Sequence, residues 1–229
     1  MIRQHLFAAA LFLLPAVAEA EAPRELWAGH QIVTGARKVP LLGDVKTRTD
    51  SFFLAQVERK ADGSVKLTQQ TCRVAIAPAA GVQVTFAPGT EPKLPVSTIE
   101  LRKNGELYSA SFVSGWDETD VDGDGKPGAT MLVDAPVCDG RIFVRSHART
   151  QLRGKAKDGA IAGEARAVSD QKTLDADGAC LKMMATDERD SVRGTFAYVP
   201  VPAGSTCESL LAAAKWPAVA SEPRVEKRR

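Results

Sequence analysis

Between Asp117 and Thr130 the chain reads DETDVDGDGKPGAT, in which Asp117, Glu118, Asp120, Asp122 and Asp124 place five carboxylates within eight residues. A hard divalent cation takes six to eight oxygen ligands, so a short segment can hold one only by presenting several carboxylates from one arc while turning sharply. Asp120, Asp122 and Asp124 stand at alternate positions, Gly125 supplies the turn after the third, and Lys126 can add its backbone carbonyl. Asp120, Asp122, Asp124 and Lys126, with Asp117 as a further carboxylate, are the candidate ligands of a calcium ion. The twelfth position is Met131 rather than a bidentate glutamate, and Pro127-Gly128 stop a helix from following. The remaining ligands must then come from Asp117, Glu118, Asp134 or water, which implies weak binding of roughly 0.1–1 mM. The competing reading is a solvated loop built on Asx turns.

The D-x-D-x-D-G spacing resembles the calcium loops of EF-hands, dockerins and thrombospondin type 3 repeats. The resemblance covers only this loop and implies a cation that fixes a loop rather than one that performs a reaction. No G-x-S-x-G, H-E-x-x-H, P-loop or G-x-G-x-x-G motif occurs elsewhere. A cation-assisted hydrolase remains as a rival, with acid and base drawn from Asp117, Glu118 and Asp134. His147, between Arg145 and Arg149, reads as part of a solvated sheet face or as a basic patch for an anion.

Residues 1–20 carry Arg3 and His5, an apolar run from Leu6 to Leu14, Pro15 and small residues around Ala16, Ala18 and Ala20. This is the pattern of a secretory signal peptide, so the chain is expected to be exported to the periplasm or beyond. No run approaches the roughly 20 apolar residues of a membrane-spanning helix. A net charge of +2 gives no reason to expect nucleic acid. Hydrophobic content of 44% and charged content of 25% fit one globular domain, residues 21–216, followed by a polar, disordered basic tail at 217–229.

The elements that must position the loop read as strands. Asp62-Gly63, Asn104-Gly105, Asp139-Gly140, Asp158-Gly159 and Asp177-Gly178 are hairpin dipeptides, tolerant of positive φ. Between them lie β-prone runs: Phe52–Arg59, Val65–Ile76, Thr98–Arg102, Glu106–Val113, Met131–Val137, Arg141–Leu152, Ala160–Val168, Ala179–Ala185 and Val192–Val201. The expected fold is all-β, an antiparallel meander forming a barrel or sandwich, with the acidic loop as a long hairpin connection between Glu106–Val113 and Met131–Val137. In Val65–Ile76 the apolar register switches, which calls for a bulge or break near Gln69-Gln70. Ser205 to Glu208 form a capping-box pattern ahead of one short C-terminal helix, about residues 206–215.

Cys72, Cys138, Cys180 and Cys207 contain no close pair suited to zinc, and export favours disulfides. Alternating strand direction brings Cys138 and Cys180 to one end, leaving Cys72 for Cys207. The stretch ELWAGHQIV, with Trp27 two residues before Gly29, resembles the start of lipocalin-like barrels, although their order is Gly-x-Trp. That resemblance implies a lumen for a small apolar ligand. The sequence thus points to an exported, non-enzymatic protein with a calcium-stabilised loop that binds a small ligand or an envelope partner. A structural or adhesive envelope protein is the alternative.

Overall fold

A computed structural model describes residues 25–39, 43–185 and 187–219; the expected signal peptide and all but the start of the basic tail lie outside them. Ten strands make up most of the chain: β1 (Glu25–Val39), β2 (Gly43–Arg59), β3 (Val65–Ile76), β4 (Gln83–Phe86), β5 (Ser97–Asn104), β6 (Leu107–Trp116), β7 (Ala129–Asp134), β8 (Gly140–Lys157), β9 (Ala160–Ala176) and β10 (Glu188–Val201). The fold is all-β, and every strand pairing is antiparallel.

The strand order is β4-β7-β8-β6-β5-β3-β2-β1-β10-β9, and β8 also pairs with β9, which closes the sheet into a ring. The result is one ring-like sheet, neither a two-sheet sandwich nor a regular barrel. The irregularity has a local cause. β5 joins β3 only along Val65–Gln69, and it joins β6 only from Arg102 to Asn104. Past those residues β3 and β6 part. The short strand β4, carried on β7, reaches toward β3 there, and the Gln83 amide donates to the Ile76 carbonyl at 2.9 Å.

Three of the expected dipeptides close hairpins, between β2 and β3, β5 and β6, and β8 and β9, while Asp139-Gly140 leads into β8. At Asp158-Gly159 both residues have positive φ, 51° and 79°, the requirement of a tight turn whose twist matches its strands. Asp177-Gly178 behaves otherwise. The run Ala179–Ala185, expected as a strand, forms helix α1 (Gly178–Met184) and its C-cap Ala185, because Ala, Leu, Lys and Met are strong helix formers and Leu181 finds a buried seat beside Cys138 and Ala176.

The register shift expected near Gln69-Gln70 is present in β3 and lies at Cys72, since Phe52 pairs with Arg73 and Phe53 with Thr71. Contrary to expectation, β6 and β7 are not hairpin neighbours. Both pair with the same edge of β8, β6 ending at Trp116 opposite Ser146 and β7 starting at Ala129 opposite Val144. They form one interrupted strand, and the acidic loop is an excursion inserted opposite Arg145.

At one end of the ring the interior is filled by Trp27, Leu67, Ile99, Leu101, Leu152 and Phe196. A smaller cluster of Phe86, Leu94, Met131 and Val144, with Trp116 against it, lies beside the loop. Helix α2 (Cys207–Ala213) begins at Thr206, whose side chain accepts from the Ser209 amide while Ser209 caps in return. The capping box is therefore one residue later than Ser205–Glu208. A Cys72–Cys207 disulfide ties α2 to the β3 bulge. Farther on, the Pro217 carbonyl lies 2.9 Å from His30 Nδ1, and Phe52 stacks on His30 and meets Trp216. The C-terminal segment thus lies along β1, β2 and β3.

Close packing between β10 and β1 depends on Gly194, where a Cβ would stand 1.8 Å from the Ile32 carbonyl oxygen. The variant G194A is expected to lose about 1–3 kcal/mol through forced overpacking, measurable as a lower denaturant midpoint. Replacing both Cys72 and Cys207 by Ser should cost about 2–5 kcal/mol, because the bond closes a long loop of the unfolded chain. Equal midpoints for wild type and the double variant would exclude that role.

Candidate metal centre and the adjoining cavity

The excursion from Asp117 to Gly128 is folded by its own side chains. The Asp120 carboxylate accepts from the amides of Gly123, Asp124 and Gly125 at 2.6, 3.3 and 2.8 Å. These donors, Gly125 foremost, hold its carboxyl below the usual range, so it is ionised at neutral pH. Asp124 accepts from the Lys126 amide at 2.8 Å and from the Thr130 hydroxyl at 2.7 Å. Gly128 closes the loop with φ 72° and with no room for a Cβ, which would meet the Val144 carbonyl oxygen at 2.2 Å. The Asx-turn reading and the cation reading are therefore not exclusive: the amides build a loop whose carboxylates keep spare lone pairs.

Asp122 differs from its neighbours. It is 5% exposed, whereas Asp120 and Asp124 are exposed. Its Oδ2 accepts from the Thr90 hydroxyl at 2.9 Å and the Thr130 amide at 2.8 Å, and the Lys93 ammonium donates to its backbone carbonyl. Its Oδ1 is buried without a hydrogen-bond partner. An orphaned carboxylate oxygen costs free energy unless a proton or a cation meets it. Asp120, Asp122 and Asp124 each offer one oxygen, and these lie within 4.8 Å of one another. The three carboxylates fit a metal ion, and the buried Oδ1 is the atom that most needs one.

The other expected ligands are placed differently. Asp117 turns away to His147, with Oδ1 2.9 Å from Nε2, and is not in the three-carboxylate cluster. Glu118 lies 4.0 Å from Lys172, and Asp134 sits at the far end of β7, paired in register with Gln83. Lys126, expected to ligate through its backbone carbonyl, directs its side-chain ammonium toward the Phe143 ring, 5.4 Å from its centroid. Asp117, Glu118 and Asp134 thus meet different neighbours, His147, Lys172 and Gln83, and none belongs to the three-carboxylate cluster. Arg145 pairs with Asp170 at 3.2 Å, which accounts for part of the charge on that strand.

The loop also borders a hollow. Trp116 and Met131, which flank it on either side, both line a cavity of about 510 Å³ inside the ring. Trp116 is fixed by an indole hydrogen bond to the Val144 carbonyl at 2.7 Å and by edge contact with Phe86. Interior positions of β1, β2, β3, β4, β6, β8, β9 and β10 form the rest of the wall, and α1 lies at the mouth through Leu181 and Met184. A second disulfide, Cys138–Cys180, and an ion pair from Arg141 to Asp177 at 2.6 Å hold α1 against the end of β8. Glu188 and Asp190 also line the wall. Sequence reasoning missed them; the signal was their alternation with Val192, Gly194 and Phe196.

Replacing Asp122 by Ala removes the acceptor shared by Thr90 and Thr130, so D122A should lose about 1–3 kcal/mol even in chelator, read by denaturant unfolding. D120A, whose partners are exposed amides, should change far less under the same conditions. The chain matches no known protein family, no characterised protein and no solved structure.

Proposed function

We propose that this is an exported, non-enzymatic binding protein whose acidic loop holds a calcium ion and whose interior cavity takes a small ligand. The observation that carries the reading is the cavity itself. A volume of about 510 Å³ falls in the range of small-molecule sites, and a structural or adhesive envelope protein gives no reason for a ring to stay hollow. Support for export comes from the leader pattern at residues 1–20 and from two disulfides, which persist in oxidising compartments. Among the described residues no helix is long and apolar enough to cross a membrane.

Calcium is favoured by an all-oxygen ligand set without His or Cys. Its role is mechanical. The ends of the loop are already held by β8, so the ion orders the excursion itself, together with Thr90 and Lys93 that clasp Asp122. At roughly 10 mM calcium and a dissociation constant of roughly 0.1–1 mM, linkage adds about 1.4–2.7 kcal/mol. That corresponds to a rise in melting temperature of roughly 3–10 °C, which D122A should abolish. Identical melts in calcium and in EDTA would remove the ion from the account.

Ligand uptake has its own test. The neutral dye N-phenylnaphthylamine, which brightens in apolar surroundings, should bind one per chain, and filling the cavity with A148W should prevent it. A dye signal that is absent, or that A148W leaves unchanged, would overturn the cavity as a binding site.

A further inference from the structure

We infer that the cavity selects an uncharged amphipathic molecule, an apolar skeleton bearing hydroxyl or carbonyl oxygens, over an anionic amphiphile of the same shape. The inference rests on the proposal that the cavity binds a ligand, and adds the class of that ligand.

Two kinds of side chain share the wall. One is apolar and large, including Phe53, Val74, Ile76, Phe112, Trp116 and Val192. The other is hydroxylic. Thr49, Ser51, Thr71, Ser114, Ser146 and Ser169 face the cavity, and among the described residues none of these hydroxyls is engaged by another side chain or by the backbone. Each hydroxyl can donate one hydrogen bond and accept two. A purely apolar ligand would strip water from that set and return nothing, at a cost for every donor left unmade. A ligand with a few oxygens on an apolar body answers both kinds of wall.

Charge decides the rest. Glu188 and Asp190 are the ionisable groups in the wall, and no Lys or Arg among the described residues lines it. A carboxylate or phosphate ligand would give up its hydration against a wall in which, among the described residues, no Lys or Arg can meet it, which is how sites reject a wrong partner. The mouth suits such a molecule as well. Beside Leu181 and Met184 of the lining stand Met183, 79% exposed, and Val137, 86% exposed, on either side of the Cys138–Cys180 bond. Flexible methionines at a rim accommodate apolar shapes of varied outline.

The test is displacement of N-phenylnaphthylamine from the full disulfide-bonded protein by a straight-chain alcohol and its matching carboxylate, at neutral pH and below their micelle-forming concentrations. The alcohol should compete at about tenfold lower concentration than the carboxylate, a difference of about 1.4 kcal/mol. S146A combined with S169A should narrow the advantage of the alcohol over the corresponding alkane. Stronger displacement by the carboxylate would overturn the inference while leaving the cavity a binding site. Failure of the dye to bind would instead overturn the reading on which it rests.

Discussion

Strand β8 is the constraint on which the rest of the molecule hangs. Its eighteen residues pair with β9 from Ile142 to Lys157 on one edge, and with β6 and β7 in succession on the other. A sheet that curls until its last strands meet its middle has to bring backbones close, and small residues permit it. Gly154 of β8 faces Gly163 of β9, where a Cβ on Gly163 would lie 2.1 Å from the Arg153 carbonyl oxygen. Side chains there would force the strands apart and the ring would open. Closure leaves fewer free edges for pairing with other chains.

From this constraint the acidic loop acquires its meaning. Because β6 and β7 share one edge of β8, Trp116 and Ala129 are held close together whatever lies between them. The intervening segment is free to specialise at little cost to the ladder. It folds back through Gly128, whose amide donates to the carbonyls of Glu118 and Thr119, and it buries Asp122 under Thr90. One carboxylate thereby joins three parts of the chain: the loop, the turn before the short 3₁₀ helix Glu91–Lys93, and the start of β7. A cation at this point would stiffen the wall that carries Trp116 and Met131, so loop and cavity are neighbours by construction.

What could be read in advance follows the range of the interactions. Asp158-Gly159 announces its turn because positive φ at two adjacent residues is a property of those residues. The spacing of Asp120, Asp122 and Asp124 is likewise local, and the cluster is visible in the letters. The burial of Asp122 is not, since Thr90 lies 32 residues away and aspartate by type is a surface residue. The joint strand of β6 and β7 was hidden for a similar reason: alternation gives the face of a strand, but no local rule gives its partner. α1 was misread because a short run of Ala, Leu and Met fits either period.

The cavity follows from side-chain size along strands that are otherwise continuous. Down β8 the interior positions run Ser146, Ala148, Thr150, Leu152, and the last of these belongs to the packed cluster while the first three line the hollow. The same change occurs along β9, where Ala165 is packed and Ala167 and Ser169 are not. Between filled and hollow halves stands Gln69, 5% exposed, whose amide oxygen accepts from the buried Tyr198 hydroxyl. Burial raises the pKa of that phenol, so it remains a neutral donor. This polar pair marks the floor of the cavity. Larger side chains at the small interior positions would extend the packed core upward, so the residues that keep the ring hollow are also those that present hydroxyls to whatever enters it.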